Sequence, residues 1–388
     1  MRLPIVAALA LAFSPFGGVW AGMFHTPIPV EQMTGKLDPG YHHPRDIDLA
    51  GGADWDAFRA GLASGKVTSL PNWSGSFSIT GQSYSYTLIG NRPAGSLTTV
   101  IPTVIVPIRL TVSDYSIDGK HPLVLDGSKA VRSMLGSPIF QVSPYPAGNL
   151  QFEDAMLRTE FPDAPNHWHT LFSPSVAAPI DIVAPPGAVK VYKAASGALL
   201  GVIVDESIID VGHDSPIPTA LRAASPQTYV IFVTYNALEA NALGYHAARL
   251  DHRANTATVY TYTSWLEGVN DLFKIPSPDA DTLAHEISEA THDPFSTSLT
   301  LLWGDAFRNN KCFQTYIETG DAVEYAPASL QNWRQSVQVN GVEKTYTVQT
   351  EALLPWFERQ TPSTALGGTY SFPNVSALTT AAPLTCVQ

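Results

Sequence analysis

His285, Glu286 and Glu289 form the pattern HExxE. Residues four apart stack on one face of a helix, so His285 and Glu289 would point the same way, with Glu286 leaning over the same spot. In the related HExxH helix, two side chains one turn apart hold zinc, and the intervening Glu acts as general base on water held by the metal. A carboxylate can stand in for the second imidazole, because zinc accepts Asp or Glu oxygen at about 2.0–2.2 Å. The same residues also fit a surface helix with two solvated glutamates and an incidental histidine.

The flanking residues are those of a short helix over 277–294. Ser277 suits an N-cap and Pro278 the first helical position, where a missing N–H is harmless. Asp279 and Asp281 would complement the positive end of the dipole. Pro294 disfavours helical geometry at Asp293, which predicts an end near His292.

A zinc site needs at least a third protein ligand. Glu318 and Asp321, three apart and downstream of the helix, are the acidic candidates. One could ligate while the other orients a ligand histidine. They also read as an ordinary polar turn. His246, in Gly244-Tyr-His246, follows a strongly apolar run and is a candidate fourth ligand or oxyanion-steadying group, or else a core histidine. His292 lies one turn beyond Glu289, at the fraying end. His167 and His169 would share one side of a short strand, where ordinary packing suffices. His25, His42 and His43 sit in loop-like sequence and are assigned no role.

The chain around these residues has 388 positions, 45% hydrophobic and 14% charged, with net charge -12. That supports a sizeable core. The absence of a basic run argues against nucleic acid or anionic membrane as partner. Arg2, the apolar stretch from Pro4 to Phe16 and Val19-Trp20-Ala21 together predict a signal peptide over 1–21, cleaved before Gly22. No apolar run is long enough to span a membrane. The expected location is therefore secreted or extracytoplasmic, where Cys312 and Cys386, the only cysteines, can form a bridge. No nucleophile-elbow GxSxG occurs, and neither cysteine has a histidine beside it in sequence, so a serine or cysteine hydrolase is disfavoured.

Strand patterns begin at Trp73. Residues 74–89 alternate around a turn at Gly81-Gln82. Residues 98–112 form a Val/Ile/Thr-rich strand, in which Pro102 and Pro107 predict an edge, an end or a bulge. A helix is expected near 152–161, and strands over 189–194, 201–205, 228–235 and 256–263. A hairpin turns at Asn340-Gly341. The predicted class is α+β, a twisted mixed β-sheet with the HExxE helix packed on it and a β-rich N-terminal section. The expected divisions are a loop-rich segment 22–72, the β-rich section 73–186 and a metal-site section 187–388, with Pro-rich 174–186 as the weakest joint.

The run from His285 to Pro294, then Trp303, then Glu318-Thr-Gly-Asp321, resembles the signature of the plant EXORDIUM / phosphate-induced protein 1 family and its exported bacterial relatives. Gly244-Tyr-His246, Val339-Asn-Gly341 and 346–349 are similar to further elements of that family. Residues 98–107 and 137–141 resemble the bacterial members. The resemblance implies an exported, metallopeptidase-like protein with a zincin-like helix. Leu243 and Val323 stand where the family has cysteines, which implies that the two are neighbours. His292 stands where the family has Thr. The expectation is a secreted zinc peptidase acting on a peptide or protein. His285 and Glu289 with Glu318 or Asp321 would hold Zn2+ (or Ca2+ or Mn2+), Glu286 would act as general base, and His246 would assist. The alternative is a non-catalytic extracellular binding or structural protein with a structural metal or none.

Overall fold

The computed structural model describes residues 58–387 except 59, 63, 96, 194–198, 211–214, 241, 252 and 268–277. The expected signal peptide, residues 22–57 of the loop-rich segment and Ser277 lie outside the described residues.

The Val/Ile/Thr-rich stretch makes β3 (Thr98–Val112), and the molecule is built around it. Before it, β1 (Asn72–Ile79) and β2 (Gln82–Ile89) form a hairpin. Its turn lies at Thr80-Gly81, one position earlier than expected, with both residues at positive φ. Around β3 lie β4 (Leu123–Asp126), β7 (His169–Val176), β8 (Ile180–Ala184) and β11 (Tyr229–Tyr235), and β13 (Gly244–Asp251) and β14 (Thr256–Trp265) extend the sheet. The result is a seven-stranded mixed sheet of order β13-β14-β11-β3-β4, with β7 and β8 on β3. Smaller pairs are β5 (Ser143–Tyr145) with β6 (Gly148–Leu150), β15 (Leu299–Asp305) with β16 (Lys311–Tyr316), β17 (Asn332–Val339) with β18 (Val342–Gln349), and β19 (Glu351–Ala352) with β20 (Ser371–Phe372). A three-stranded sheet joins β9 (Val189–Lys193), β10 (Leu199–Val204) and β12 (Ala237–Glu239).

The prolines do not push β3 to an edge. Its first half pairs with β7 and β11, its last residues with β8 and β4. Pro107 is the last residue opposite β11, where the partners change, and Pro102 precedes Thr103, the first residue opposite β11. A missing N–H is tolerable at such handovers. Strands from both sides of residue 186 share this one sheet, because β3 lies between β7 and β11.

Both faces of the sheet are covered, which is why β11 reads as a continuous apolar run. Tyr229, Ile231 and Val233 face a core that contains α1 (Ser128–Leu135), α2 (Phe152–Glu160) and α4 (Asp281–His292). The alternate residues Val230 and Phe232 face α3 (Pro216–Ala223) and the three-stranded sheet. In β13, Ala248 and Leu250 belong to the first core and Tyr245 and Ala247 to the second. The period of two therefore turns His246 towards the α4 side.

α4 begins later than its capping residues predict. Asp279 has φ 46 and lies before the helix, whose cap is Ala280. The Asp279 carboxylate accepts N–H bonds from Ala280 at 2.6 Å and from Thr347 at 2.8 Å, and so fastens the helix start to β18. The end falls at His292, before Asp293 and Pro294, as expected. Every residue of α4 is buried, so the reading of a solvated surface helix is excluded. Cys312 and Cys386 are bridged and tie the C-terminal tail to β16. Among the described residues, no helix is long and apolar enough to cross a membrane.

Candidate metal centre

Leu283, Ala284, Ile287 and Ala290 give α4 its apolar side in the core. Its polar side, turned inward as well, meets polar groups from three other segments. β13 brings His246, the turn after β16 brings Glu318 to Asp321, and the end of β18 brings Gln349.

His285 is the best-defined part of the cluster. Its Nδ1 lies 3.1 Å from Gln349 Oε1. The Gln349 amide N–H donates to Gly320 O at 2.8 Å, which fixes the amide orientation and leaves its oxygen facing the ring. Nδ1 is therefore the N–H donor, and Nε2 is the ring atom aimed at the carboxylates. Nε2 lies 3.1 Å from Glu289 Oε1 and 3.7 Å from Asp321 Oδ1. These oxygens are held in turn. Glu289 Oε1 accepts from the Gly320 and Asp321 amides at 3.2 Å, and Gln314 donates to Asp321 Oδ2 at 2.6 Å.

A lone pair facing two carboxylate oxygens needs a cation between them, either a proton or a metal. Two donors on one tetrahedral zinc, each at about 2.0–2.1 Å, stand about 3.3 Å apart. The spacings of 3.1 and 3.7 Å at Nε2 bracket that value. His285, Glu289 and Asp321 thus form a group able to hold a metal ion. Of Glu318 and Asp321, Asp321 lies near His285, whereas Glu318 lies near His246. His246 Nε2 lies 3.8 Å from Glu318 Oε2, and its Nδ1 lies 3.4 Å from Glu289 Oε2 and 3.8 Å from Glu286 Oε2. His246, Glu289 and Glu318 form a second group of the same kind.

The electrostatics follow from burying so many charges together. Burial opposes charge on His285, but Glu289, Glu286 and Asp321 outweigh it and raise its pKa well above the ordinary value. Burial likewise opposes charge on His246, yet Glu286 and Glu289 push it up to about 9. Burial would raise Glu289, but the two imidazoles hold it below the usual carboxylate range. Asp321 is pushed well above that range by burial and then by Glu289 and Glu324. Surroundings that favour a proton on Nε2 also favour a divalent cation in its place.

Two glycines make room for this arrangement. A Cβ on Gly320 would overlap the His285 imidazole, and one on Gly244 would stand 2.8 Å from Glu286 Cγ and Oε1.

Sequence reasoning missed Gln349, Gln314 and Glu351. Glu351 is buried near the cluster and raised well above the usual range, first by burial. An amide at a strand end carries no spacing signal that marks it as a partner of a distant histidine. His292 is not part of either group. Its Nδ1 donates to Ser288 O at 2.7 Å and its Nε2 meets Glu160 Oε2 at 3.0 Å, on the side of α2. His169 instead pairs with Asp154 at 2.9 Å. Leu243 and Val323 are not side by side. Leu243 packs with Ile203, Leu238 and Leu266, and Val323 with Trp303, Ile317 and their neighbours.

Compared with protein-family models, with curated proteins and with solved structures, the chain matches none.

Proposed function

We propose that the protein is an exported metal-dependent hydrolase, most simply a zinc peptidase of EXORDIUM-like, zincin-like type. The observation that carries this reading is His285 Nε2, its partner nitrogen locked by Gln349, facing Glu289 Oε1 at 3.1 Å and Asp321 Oδ1 at 3.7 Å. His285, Glu289 and Asp321 would hold the ion. A bound divalent cation supplies Lewis acidity, which polarises a carbonyl and makes water more acidic. Glu286, one residue along the helix from His285, takes the proton from the attacking water. It then delivers that proton to the amine nitrogen as the C–N bond breaks, so that water's hydroxyl ends on the acyl carbon. His246 Nδ1 lies 3.8 Å from Glu286 Oε2 and stands beside the proposed base. The Cys312–Cys386 bridge is compatible with an extracytoplasmic location.

The second reading is a structural metal centre, and burial favours it. His285 is 2% exposed and Glu289 is fully buried, whereas catalytic zinc sites keep an open position. Metal analysis of the mature protein, with peptide hydrolysis by wild type and Glu286→Gln, separates the two. The hydrolase reading expects a bound metal in both proteins and hydrolysis only by wild type. Metal in both with no hydrolysis by either assigns the structural role.

A further inference from the structure

Resting on the reading of α4 as a metal centre, we propose that the protein holds two divalent cations bridged by Glu289. One lies between His285 and Asp321, the other between His246 and Glu318. Glu289 is placed to serve both, since Oε1 faces His285 and Oε2 faces His246 at 3.4 Å.

The independent observation is His246. Its side chain is 0% exposed, and neither ring nitrogen makes a hydrogen bond. Buried imidazoles normally find a partner for each nitrogen that can donate. Here carboxylate oxygens stand at 3.4 to 3.8 Å from both nitrogens, too far for a good N–H···O bond. An imidazole binds an ion through one nitrogen, and the single ligand atoms that His246, Glu289 and Glu318 offer lie within 4.8 Å of one another, as do those of His285, Glu289 and Asp321.

Charge points the same way. Glu286, Glu289, Glu318 and Asp321 approach the two imidazoles within a wholly buried region. Such a concentration of buried acidic groups favours divalent cations among them. Paired ions in hydrolases share a carboxylate in this way and stand about 3.5–4 Å apart.

The test is metal stoichiometry on the full mature chain, loaded with Zn2+ and separately with Mn2+, freed of excess ion and measured by plasma mass spectrometry. Circular dichroism verifies that each variant is folded. The expected result is two equivalents for wild type, one for His246→Gln and Glu318→Gln, and one for Asp321→Asn. A wild-type value of one equivalent, unchanged in His246→Gln and lost in His285→Gln, overturns the second site and leaves the hydrolase reading standing. A value of zero in wild type overturns both. Should His246→Gln not fold, Glu318→Gln alone decides, since it alters a ligand of the second ion only.

Discussion

Gly320 lies directly against the imidazole of His285, so closely that a Cβ there would overlap Nδ1. The backbone at Gly320 has φ -75, which any residue adopts, so the requirement is one of space alone. Gly320→Ala should keep the fold and move the ring off Gln349. Zinc affinity, measured by competition with a chromophoric chelator, should fall by about 10–100-fold, the usual effect of disturbing a ligand's supporting bond. Unchanged affinity would show that the ring position is not what sets binding.

Gln349→Leu removes the same support from the other side. It keeps similar volume but removes the Gln349 oxygen that the His285 Nδ1–H faces, while the Gly320 carbonyl keeps the Val323 N–H at 3.2 Å. A lost acceptor for a buried donor costs about 1–3 kcal/mol. Denaturant unfolding of the metal-free protein should therefore show a lower midpoint, together with weakened zinc binding.

Part of this clustering of side chains was legible in the sequence, for identifiable reasons. His285 and Glu289 are linked by helical period, and the end of α4 by Pro294. β11, β14 and the Asn340-Gly341 turn follow from β-branched and aromatic runs and from turn chemistry. The start of α4 was misread because Asp279 takes a positive φ to serve β18, a tertiary demand that overrides the local capping pattern. The burial of α4 was hidden for a related reason. A helix with Asp281, Glu286, Glu289 and His292 looks solvated, unless one knows that other acidic and imidazole groups cover its polar side. Where Glu318 and Asp321 point depends on the turn after β16, which no spacing rule fixes.

The His292–Glu160 contact gives a pH dependence separate from the metal groups. Burial opposes charge on His292, but Glu160, and more weakly Glu153, push its pKa up from 6.5 to about 9. A raised folded-state pKa contributes stability that is complete below the unfolded value and lost as pH climbs through the folded one. Stability should thus decline between about pH 6.5 and 9, by on the order of 3 kcal/mol at one pKa unit per 1.36 kcal/mol. Chemical denaturation at several pH values should show this slope in wild type. His292→Gln should make the slope shallower by about that amount.

The Cys312–Cys386 bridge closes a loop across 74 positions beside backbone bonds from Cys312 and Val387. Replacing both cysteines by serine should lower stability by about 2–4 kcal/mol. Bound metal should be unaffected, because the proposed ligands lie on α4, β13 and the turn at 318–321. Loss of metal in the double variant would mean that the tail helps to shape the centre.

The complete enclosure of α4 has a kinetic consequence. An ion held among side chains so nearly closed to solvent would leave when β13, β18 or the turn at 318–321 parts from the helix. Its residence time should then be governed by that opening rather than by coordination strength. A chelator would strip it at a rate independent of chelator concentration, and the same rate should appear in hydrogen exchange of the α4 amides.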